Sequence, residues 1–592
     1  MPTRDLTIAM VGSGGDGVVT MGEMLAQSAA KDGLNVIKTE AYGPQIRGGE
    51  TSCVVRIASA PIYAQGEAVN ILAVFNWGDF GRFKGEIVLH PDAVVLFEEG
   101  DPGAPQPADL GLGASHHWIP VPFMKLATES AGTKAAKNIV SLGLFAELFG
   151  LPNASIRKAV ERRFSKKKAT VLEANLKGFD AGVEYAKGIE SAVAERRLVY
   201  EAGAPKLLMS GNEATAVGAL HAGCRFFGGY PITPSSEVLH FLSEWLPKVG
   251  GSVVQTEDEL AAIGAVVGAS FAGVKSMTST SGPGLSLMTE MLGLSAMAEI
   301  PAVVIDVQRG GPSTGLPTKS EQSDLWQAVF AGHGDQPRVV VAAVDVEDSF
   351  HATVEAFNIS EEFQLPVVIL SDQGIGQARC TLDASALVHD VVERAVPAAG
   401  GDGKYLRYLD TETGVSPMSA PGMPGLMYQT NGLEHTEAGS PSAMFLTHEK
   451  MNAKRYRKLR PIREKYQRFL RFGAEKADVG ILCWGSSAGP VREAVAEANA
   501  RGEKVAAFVP QLIYPFPKHP FLKFLDEVDH LLILEISYAA QFYKYLRTFL
   551  ALPEERLTLF KRSGAKNLTV GEVKEEIEKA LARAKKQQEV PA

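Results

Sequence analysis

Several features that would assign this sequence to a particular class of protein are missing from it. The 592 residues contain only four cysteines, Cys53, Cys224, Cys380 and Cys483, and each lies over a hundred residues from the next. No two cysteines therefore have the short CxxC spacing that is typical of iron–sulfur and zinc sites. We predict no metal site on this chain. If its reaction is a redox reaction, we expect any iron–sulfur cluster to belong to another chain.

The sequence also lacks a long apolar segment and an excess of positive charge. No run of 18 apolar residues occurs, and Met1 is followed directly by the strand-like residues 6–10, without the apolar core of a signal peptide. We therefore expect a cytoplasmic location. The 59 basic and 68 acidic residues give a net charge of −9, which argues against nucleic acid as the main partner.

What the sequence does contain is a repeated alternation of apolar strand-like runs, glycine-containing turns and helical segments. This pattern predicts an α/β protein with several domains, and the length favours about three to five of them. We place domains at residues 1–192, 206–445 and 446–592. A short passage at 201–205, which contains glycine and proline, is predicted to link the first two domains.

Two further segments have compositions that indicate irregular or surface structure. Residues 413–430 contain three prolines and several glycines, so this segment is predicted to be a loop or arm rather than a helix or a central strand. Residues 450–471 are strongly basic and favour a helix. We interpret them as a solvated connector, with contact to a partner as the alternative.

Residues 230–237, Tyr-Pro-Ile-Thr-Pro-Ser-Ser-Glu, are the most informative motif. Prolines on both sides of Thr233 restrict the backbone, so the threonine hydroxyl is held rigidly at a turn. The following Ser235 and Ser236 predict the start of a helix, where backbone N–H groups favour an anion such as a substrate carboxylate.

A second motif begins at Glu259, which precedes a run of alanine and glycine residues. Small residues at these positions allow a large or flat group to approach the helix closely. In a thiamine-dependent enzyme one buried glutamate shares a proton with the cofactor, and Glu259 is our candidate for that glutamate. The alternative is that the carboxylates at 257–259 only stabilise the helix dipole.

Two glycine-rich turns complete the set of candidate site motifs. Residues 279–284, Ser-Thr-Ser-Gly-Pro-Gly, join a strand to a helix and suit a backbone that touches a cofactor, although an ordinary tight turn is the alternative. Arg309 follows the apolar strand 302–307, at the end where open α/β sheets bind ligands. Its guanidinium matches a carboxylate, and a surface salt bridge is the alternative.

These motifs together resemble the alpha subunit of 2-oxoacid:ferredoxin oxidoreductases, in the form that carries the gamma domain fused in front of alpha. The resemblance rests on residues 230–237, 257–269, 280–284 and 309–318, with the N-terminal 12–17 and the run Arg47, Gly48 and Gly49. It implies that 1–192 is the gamma α/β domain, that 206–445 is a pyrimidine-binding thiamine diphosphate domain with an arm rich in proline and glycine, and that 446–592 contains a transketolase-C-like domain.

The resemblance also implies roles for individual residues. Glu259 would activate the cofactor, and Thr233, Arg309 and Thr318 would hold the 2-oxoacid, so Glu259, Thr233 and Arg309 are the predicted catalytic residues. The predicted contacts to thiamine diphosphate are Tyr230, Pro231, Ile232, Glu259, Ser281 and Gly282. The predicted contacts to coenzyme A are Gly14, Arg47, Gly48 and Gly49, with a structural turn as an equal alternative for the last three.

The implied reaction is the conversion of a 2-oxoacid and coenzyme A to an acyl-CoA and CO₂ with ferredoxin as electron acceptor, or the reverse carboxylation used in a reductive tricarboxylic acid cycle. 2-Oxoglutarate is the favoured substrate, and pyruvate and branched 2-oxoacids are alternatives. The resemblance implies a separate beta subunit that binds the diphosphate through Mg²⁺ and carries a [4Fe–4S] cluster, within a heterotetramer of two alpha–beta pairs.

Two other motif matches support different interpretations. The run 401–403, Gly-Asp-Gly, with Asn431 imitates a diphosphate-binding motif, but the prolines between them make coincidence the favoured explanation. The glycines of 12–17 with Glu40 imitate a dinucleotide fingerprint, which would indicate an NAD-dependent dehydrogenase. For the distal carboxylate of 2-oxoglutarate, Arg47 and His435 are weak candidates, and a structural role for His435 is favoured.

Overall fold

The computed structural model describes residues 3–42, 49–110, 117–189, 193–398 and 405–589. These residues form two compact units. The first unit contains the chain up to Met209 together with Ala378–Ala386, and the second contains Ser210–Gln377 and the chain from Leu387 onward. Each unit is α/β, as the alternating sequence pattern predicts.

The strands of the described residues are, in chain order, β1 (Asp5–Ser13), β2 (Asn35–Tyr42), β3 (Glu50–Ala58), β4 (Val69–Val74), β5 (Leu89–Glu98), β6 (His117–Val121), β7 (Leu207–Ser210), β8 (Phe226–Gly229), β9 (Ser252–Gln255), β10 (Ser276–Thr280), β11 (Ala302–Gln308), β12 (Val339–Ala342), β13 (Pro366–Asp372), β14 (Arg379–Leu382), β15 (Phe469–Gly473), β16 (Ala477–Leu482), β17 (Val505–Pro510), β18 (Leu512–Tyr514), β19 (Val528–Glu535) and β20 (Leu557–Lys561).

The helices are α1 (Val18–Lys31), α2 (Trp77–Phe83), α3 (Phe123–Ala131), α4 (Lys137–Leu148), α5 (Asn153–Phe164), α6 (Ala169–Ile189), α7 (Gly211–His221), α8 (Ser236–Trp245), α9 (Glu259–Phe271), α10 (Gly282–Met297), α11 (Leu325–Phe330), α12 (Val346–Phe363), α13 (Gln373–Gly376), α14 (Phe445–Arg457), α15 (Leu459–Lys465), α16 (Ala488–Ala500), α17 (Lys518–Asp526), α18 (Gln541–Arg547) and α19 (Val570–Glu589).

The first unit is built on one eight-stranded sheet with the order β6-β5-β4-β1-β3-β2-β14-β7. Strands β6, β5, β4 and β1 are parallel, whereas β3 runs antiparallel to both of its neighbours. The central strand β1 is almost entirely apolar and buried, as expected of a strand that is covered on both faces. Strand β14 comes from the distant segment 378–386 and pairs with β2.

This topology argues against the dinucleotide-binding alternative. In that fold the strand after the first helix lies parallel and directly beside the first strand. Here β2 pairs with β3, which separates it from β1. In addition, the Glu40 carboxylate that would meet a ribose forms an ion pair with Lys38.

The second unit contains a seven-stranded sheet with the order β18-β12-β13-β11-β10-β8-β9 and a five-stranded sheet with the order β15-β17-β16-β19-β20. The seven-stranded sheet is parallel except for β18. Strands β11 and β13 are buried along their whole length and are largely apolar, which is typical of central parallel strands. One hydrophobic core includes residues of both sheets, among them Val304 and Phe508.

The basic segment 450–471 differs from our interpretation of it as a solvated connector. It forms α14 and α15, but Lys454, Arg455 and Lys458 are buried. Glu299, which is itself fully buried, lies 2.7 Å from the Lys454 ammonium and 2.6 Å from that of Lys458. The solvated interpretation is therefore wrong for these three residues, because a carboxylate far away in the sequence compensates two of the buried charges.

The predicted arm is confirmed. Between Leu387 and Met444, the described residues form neither a helix nor a strand. The charged tail forms the amphipathic helix α19, whose apolar side, including Ile577, is buried. None of the described helices combines the length and apolar character needed to cross a membrane.

Candidate functional site

The predicted site motifs follow four neighbouring parallel strands, in the sheet order β11-β10-β8-β9. Because these strands are parallel, their carboxyl ends meet at one edge of the sheet. The motifs that begin at Tyr230, Glu259, Ser281 and Arg309 start at or shortly after these ends. The chain reverses its direction of winding between β8 and β10, and such a switch point is where open α/β sheets bind ligands.

The turn at 230–237 is fixed from inside the protein. The backbone N–H groups of Ser235 and Ser236 donate to the carbonyl of Ile232, at 2.9 and 3.1 Å. The Asn212 side-chain amide donates to the carbonyl of Pro234 at 2.9 Å and to the Glu237 carboxylate at 3.0 Å. Asn212 was not predicted from the sequence. Its two hydrogen bonds attach the turn to helix α7.

Arg309 and Thr233, two of the predicted catalytic residues, are in direct contact. The Arg309 guanidinium donates from Nη1 to the carbonyl of Thr233 at 2.6 Å. The arginine is only 7% exposed, and its buried Nε has no hydrogen-bond partner among the described residues. A surface salt bridge, the alternative interpretation, does not fit a guanidinium that is buried to this extent.

The loop after Arg309 turns back on itself, so that Lys319, which follows Thr318, pairs with Gly310. The Leu316 N–H donates to the Gly310 carbonyl at 2.7 Å, and the Gly310 N–H donates to the Lys319 carbonyl at 3.0 Å. At Gly315, φ is 53° and an added Cβ would lie 1.9 Å from the Gly310 carbonyl oxygen. Only glycine fits this position, so the return of the chain depends on it.

Glu259 is the first residue of α9 and is 6% exposed. The neighbouring Asp258 caps the helix by accepting a hydrogen bond from the Ala261 N–H at 2.8 Å. A Cβ added to Gly284, the third residue of α10, would lie 2.6 Å from Glu259 Cγ and 2.7 Å from its Oε1. The absence of a side chain at Gly284 therefore leaves room for the Glu259 carboxylate.

Strand β10 and the 279–284 turn that follows it contain two buried hydroxyl groups that lack a hydrogen-bond partner among the described residues. They are the hydroxyl groups of Thr278 and Ser281. Tyr230 is 40% exposed, and Pro231 beside it is also exposed. A buried carboxylate, an orphaned hydroxyl and an exposed ring at one sheet edge fit a polar aromatic cofactor such as a pyrimidine.

A pair of carboxyl groups at this edge was not predicted from the sequence. Asp306 lies in β11 and is fully buried, and Asp324 lies just before α11. Burial and the neighbouring Asp324 raise the pKa of Asp306 well above its ordinary value. Burial and Glu321 raise the pKa of Asp324 to about 7. A charged residue inside the otherwise apolar run 302–307 was the sequence signal that could have identified Asp306.

Burial also affects Arg309, the cation beside these carboxyl groups. Loss of hydration lowers the pKa of Arg309, while Asp324, Asp306 and Glu259 act in the opposite direction. An arginine remains protonated at neutral pH in such a setting. Arg309 therefore keeps a positive charge close to the carboxyl groups of Asp306, Asp324 and Glu259.

The predicted coenzyme A contacts belong to the first unit. The Gly14 N–H donates to the Gly49 carbonyl at 2.8 Å, so the glycine turn and the end of the 47–49 run are adjacent. Arg47 and Gly48 lie outside the described residues, as does the 401–403 run. The coenzyme A contacts thus stay a prediction.

His435 and Asn431 occupy local structural positions. The His435 ring is fully buried, lies 2.9 Å through Nδ1 from the Leu433 carbonyl and is centred 4.0 Å from the Tyr408 ring. Asn431 bonds to Gly439 and Leu433 within its own turn. These contacts favour the structural role for His435 over contact with a substrate.

Comparison with known families divides the chain into three matching segments. Residues 7–185 match the family described as pyruvate ferredoxin/flavodoxin oxidoreductase, and 217–454 match pyruvate flavodoxin/ferredoxin oxidoreductase, thiamine diP-bdg. Residues 477–573 match pyruvate:ferredoxin oxidoreductase core domain II.

Curated relatives agree with these matches. The 2-oxoglutarate synthase subunit KorA of Methanothermobacter marburgensis is 38% identical over 350 residues, which is 59% of this chain and 92% of the relative. The 2-oxoglutarate oxidoreductase subunit KorA of Mycobacterium tuberculosis is 32% identical over 555 residues, which is 87% of this chain and 83% of the relative.

One solved structure resembles the whole chain. It is the 2-oxoglutarate:ferredoxin oxidoreductase from Magnetococcus marinus with 2-oxoglutarate, coenzyme A and succinyl-CoA bound. The TM-score is 0.92 with 36% sequence identity, and the match covers 98% of this chain and 100% of the other.

Proposed function

Because this chain belongs to the 2-oxoacid:ferredoxin oxidoreductase family, as an alpha subunit with the gamma domain fused in front, we propose that it interconverts 2-oxoglutarate plus coenzyme A with succinyl-CoA plus CO₂, with ferredoxin as the electron carrier. Two curated relatives carry the name 2-oxoglutarate synthase or oxidoreductase. The similar solved structure was determined with 2-oxoglutarate, coenzyme A and succinyl-CoA bound.

The observation that carries the proposal is the buried Arg309 at the carboxyl end of β11, joined to Thr233 at 2.6 Å. A guanidinium with one arm fixed to a backbone carbonyl cannot rotate freely, so its remaining N–H groups have a defined direction. They suit the carboxylate next to the keto group of a 2-oxoacid, which accepts two parallel hydrogen bonds. We assign Thr318, which the loop returns to this region, to the same substrate.

The residues at the sheet edge fit thiamine diphosphate. When bound, this cofactor supplies a carbon nucleophile that stabilises the negative charge left by the departing CO₂. We assign Glu259 to hold and exchange the proton of the pyrimidine ring, since it is buried and a glycine keeps its surroundings clear. Tyr230, Pro231, Ile232, Ser281 and Gly282 would bind the ring.

The assembly is also part of the proposal. The names of several relatives contain "subunit alpha" or "subunit KorA", which fits a chain that works with a second subunit. We propose that a beta subunit supplies the Mg²⁺ site for the diphosphate and the [4Fe–4S] cluster, that two alpha–beta pairs form a heterotetramer, and that the complex serves a reductive tricarboxylic acid cycle in the cytoplasm.

The substrate assignment can be tested on the complex that copurifies with this chain. Reduction of ferredoxin or a viologen dye is measured with coenzyme A, thiamine diphosphate and Mg²⁺, and with 2-oxoglutarate, pyruvate or a branched 2-oxoacid in separate reactions. We expect the largest kcat/KM with 2-oxoglutarate. A larger value with pyruvate would reassign the substrate, and no reduction with any 2-oxoacid by a complex with an intact cluster would reject the function.

A further inference from the structure

The carboxyl groups of Asp306 and Asp324 lie under the substrate-binding arginine and have no role in the function proposed above. Asp306 is fully buried in β11, in register with Thr280 at the end of β10. Asp324 follows the 309–319 loop, and its N–H donates to the Gln308 side chain at 3.1 Å. The two residues therefore connect the arginine strand with the cofactor turn.

Asp324 is packed directly against that turn. A Cβ added to Gly282 would lie 2.7 and 2.9 Å from the two Asp324 carboxyl oxygens. Gly282 is one of the residues that we assign to the cofactor. The Asp324 carboxyl thus packs against the backbone of the cofactor turn and also interacts electrostatically with Arg309.

Hydrogen bonding indicates how many protons the pair carries. The Asp306 carboxyl lies within hydrogen-bonding reach of Asp324. No N–H or O–H group of the other described residues donates to either Asp306 oxygen or to Asp324 Oδ2. An ionised carboxylate can only accept hydrogen bonds, so two carboxyl groups can bond to each other only if at least one is protonated. One shared proton satisfies one oxygen of each group.

The charged groups around Asp306 and Asp324 also favour a pair that keeps one proton. Glu321 faces Asp324, and the backbone N–H groups of Gly311 and Gly564 donate to its two oxygens at 3.1 and 2.9 Å. Arg309 is the cation that faces both aspartates, and Glu259 also acts on that arginine. Burial disfavours a second negative charge on the pair.

We propose that Asp306 and Asp324 are positioning residues that share one proton, so that Arg309 keeps its charge available for the carboxylate of the substrate. This inference rests on the proposed function. With the proton present, one negative charge faces Arg309. Without it, two negative charges attract the guanidinium inward and repel an anionic substrate. Substrate binding then weakens as the shared proton is lost.

The test is the pH dependence of KM for 2-oxoglutarate in the complete complex. Because only the protonated pair binds substrate well, we expect the wild-type KM to rise by up to about tenfold per pH unit over the range in which the pair loses its shared proton, with a smaller change in kcat. Asp306→Asn, which cannot ionise, should remove most of this rise. Asp335→Asn, an exposed aspartate of the same unit, is the matched control and should keep the wild-type dependence.

Two results would overturn the proposal. One is a wild-type KM that does not rise at any pH up to the limit at which the complex stays folded. The other is an Asp306→Asn complex whose KM is raised at every pH with the wild-type slope, because that would make Asp306 an ionised partner that anchors Arg309. If Asp306→Asn does not fold, Asp324→Asn replaces it, with the same two outcomes.

An infrared titration separates this inference from the proposed function, because it requires no turnover. We expect the wild-type complex to show a protonated-carboxyl band that Asp306→Asn lacks and that disappears as the pH is raised. A wild-type complex without such a band at pH 6 would contradict the shared proton. A band that is present in a complex with no 2-oxoacid activity would uphold the proton and reject only the substrate assignment.

Discussion

At the scale of single residues, the site depends on groups that are buried without being fully satisfied. Within the part of the chain that the structure describes, the Arg309 Nε and the hydroxyl groups of Ser281 and Thr278 have no hydrogen-bond partner. Such groups are costly in a folded protein unless a ligand or a partner completes their hydrogen bonds. Their convergence at the end of four parallel strands is therefore best explained by a ligand.

Substitution of Arg309 by lysine and by alanine should distinguish the effect of its positive charge on the reaction from the effect of its hydrogen-bonding geometry. Arg309→Lys keeps a positive charge but cannot bond to Thr233 and to a carboxylate in the same way. We expect kcat/KM for 2-oxoglutarate to fall by about 30-fold or more in Arg309→Ala, which corresponds to ~2 kcal/mol. The loss in Arg309→Lys should be smaller, but the wild-type value should not be reached. Arg460→Ala, at an exposed ion pair, is the control and should change little. Unchanged kinetics of Arg309→Ala would remove this residue from the substrate site.

Substitution of Glu259 should stop the reaction without unfolding the protein. Glu259→Gln has the same shape and leaves the contact with Gly284 intact, but it cannot exchange a proton with the pyrimidine ring. We expect a loss of at least about 100-fold in kcat and an unchanged melting temperature. Glu257→Gln, two residues upstream and exposed, should retain activity. Retained activity in Glu259→Gln would mean that another carboxylate activates the cofactor.

At the scale of elements, helices α14 and α15 are attached to the rest of the second unit through ion pairs between Glu299 and two lysines, Lys454 and Lys458. Its pKa reflects this: burial raises the pKa of the Glu299 carboxyl, but Lys458, Lys454 and Arg407 outweigh that effect and hold it below its ordinary value. A carboxyl with a lowered pKa stabilises the fold above the unfolded value of about 4.3, and this contribution is lost as the pH falls.

We therefore expect Glu299→Gln to be strongly destabilising. It leaves Lys454 and Lys458 buried without a counter-charge, and removal of one partner from a buried ion pair costs about 3–5 kcal/mol. Glu464→Gln breaks an exposed pair with Arg460 and should cost less than about 1 kcal/mol. Denaturant unfolding at pH 7 compares the two. A loss for Glu299→Gln no larger than for Glu464→Gln would show that this cluster does not anchor the helices.

Patterns that are local in the sequence predicted most helices and strands. The features that were not predicted depend on contacts between residues that are far apart in the sequence. Strand β11 and the turn at 279–284 follow from apolar runs and glycines that are contiguous in the sequence. The burial of Lys454 could not be predicted, because it depends on Glu299, 155 residues away. Likewise, nothing local indicates that β14 joins the sheet of the first unit. The carboxyl pair was missed because Asp306 and Asp324 meet only in the folded protein.

At the scale of the whole molecule, we assign the substrate arginine, the activating glutamate and the pyrimidine-binding turns to this chain, but the proposed function needs more. The diphosphate, its Mg²⁺ and the electron acceptor are assigned to the beta subunit. Prediction of the fold class and the family from the sequence is confirmed by the three family matches and by the solved structure that covers 98% of the chain. The individual site residues remain predictions.

The most direct test of the central claim is a reconstitution that compares this chain alone, the beta subunit alone and the two together. The measurement is ferredoxin reduction with 2-oxoglutarate, coenzyme A, thiamine diphosphate and Mg²⁺. We predict turnover only when both chains are present, and none when the added chain carries Glu259→Gln. Turnover by the beta subunit alone, or full activity with the Glu259→Gln chain, would contradict the claim that this chain supplies half of the active site.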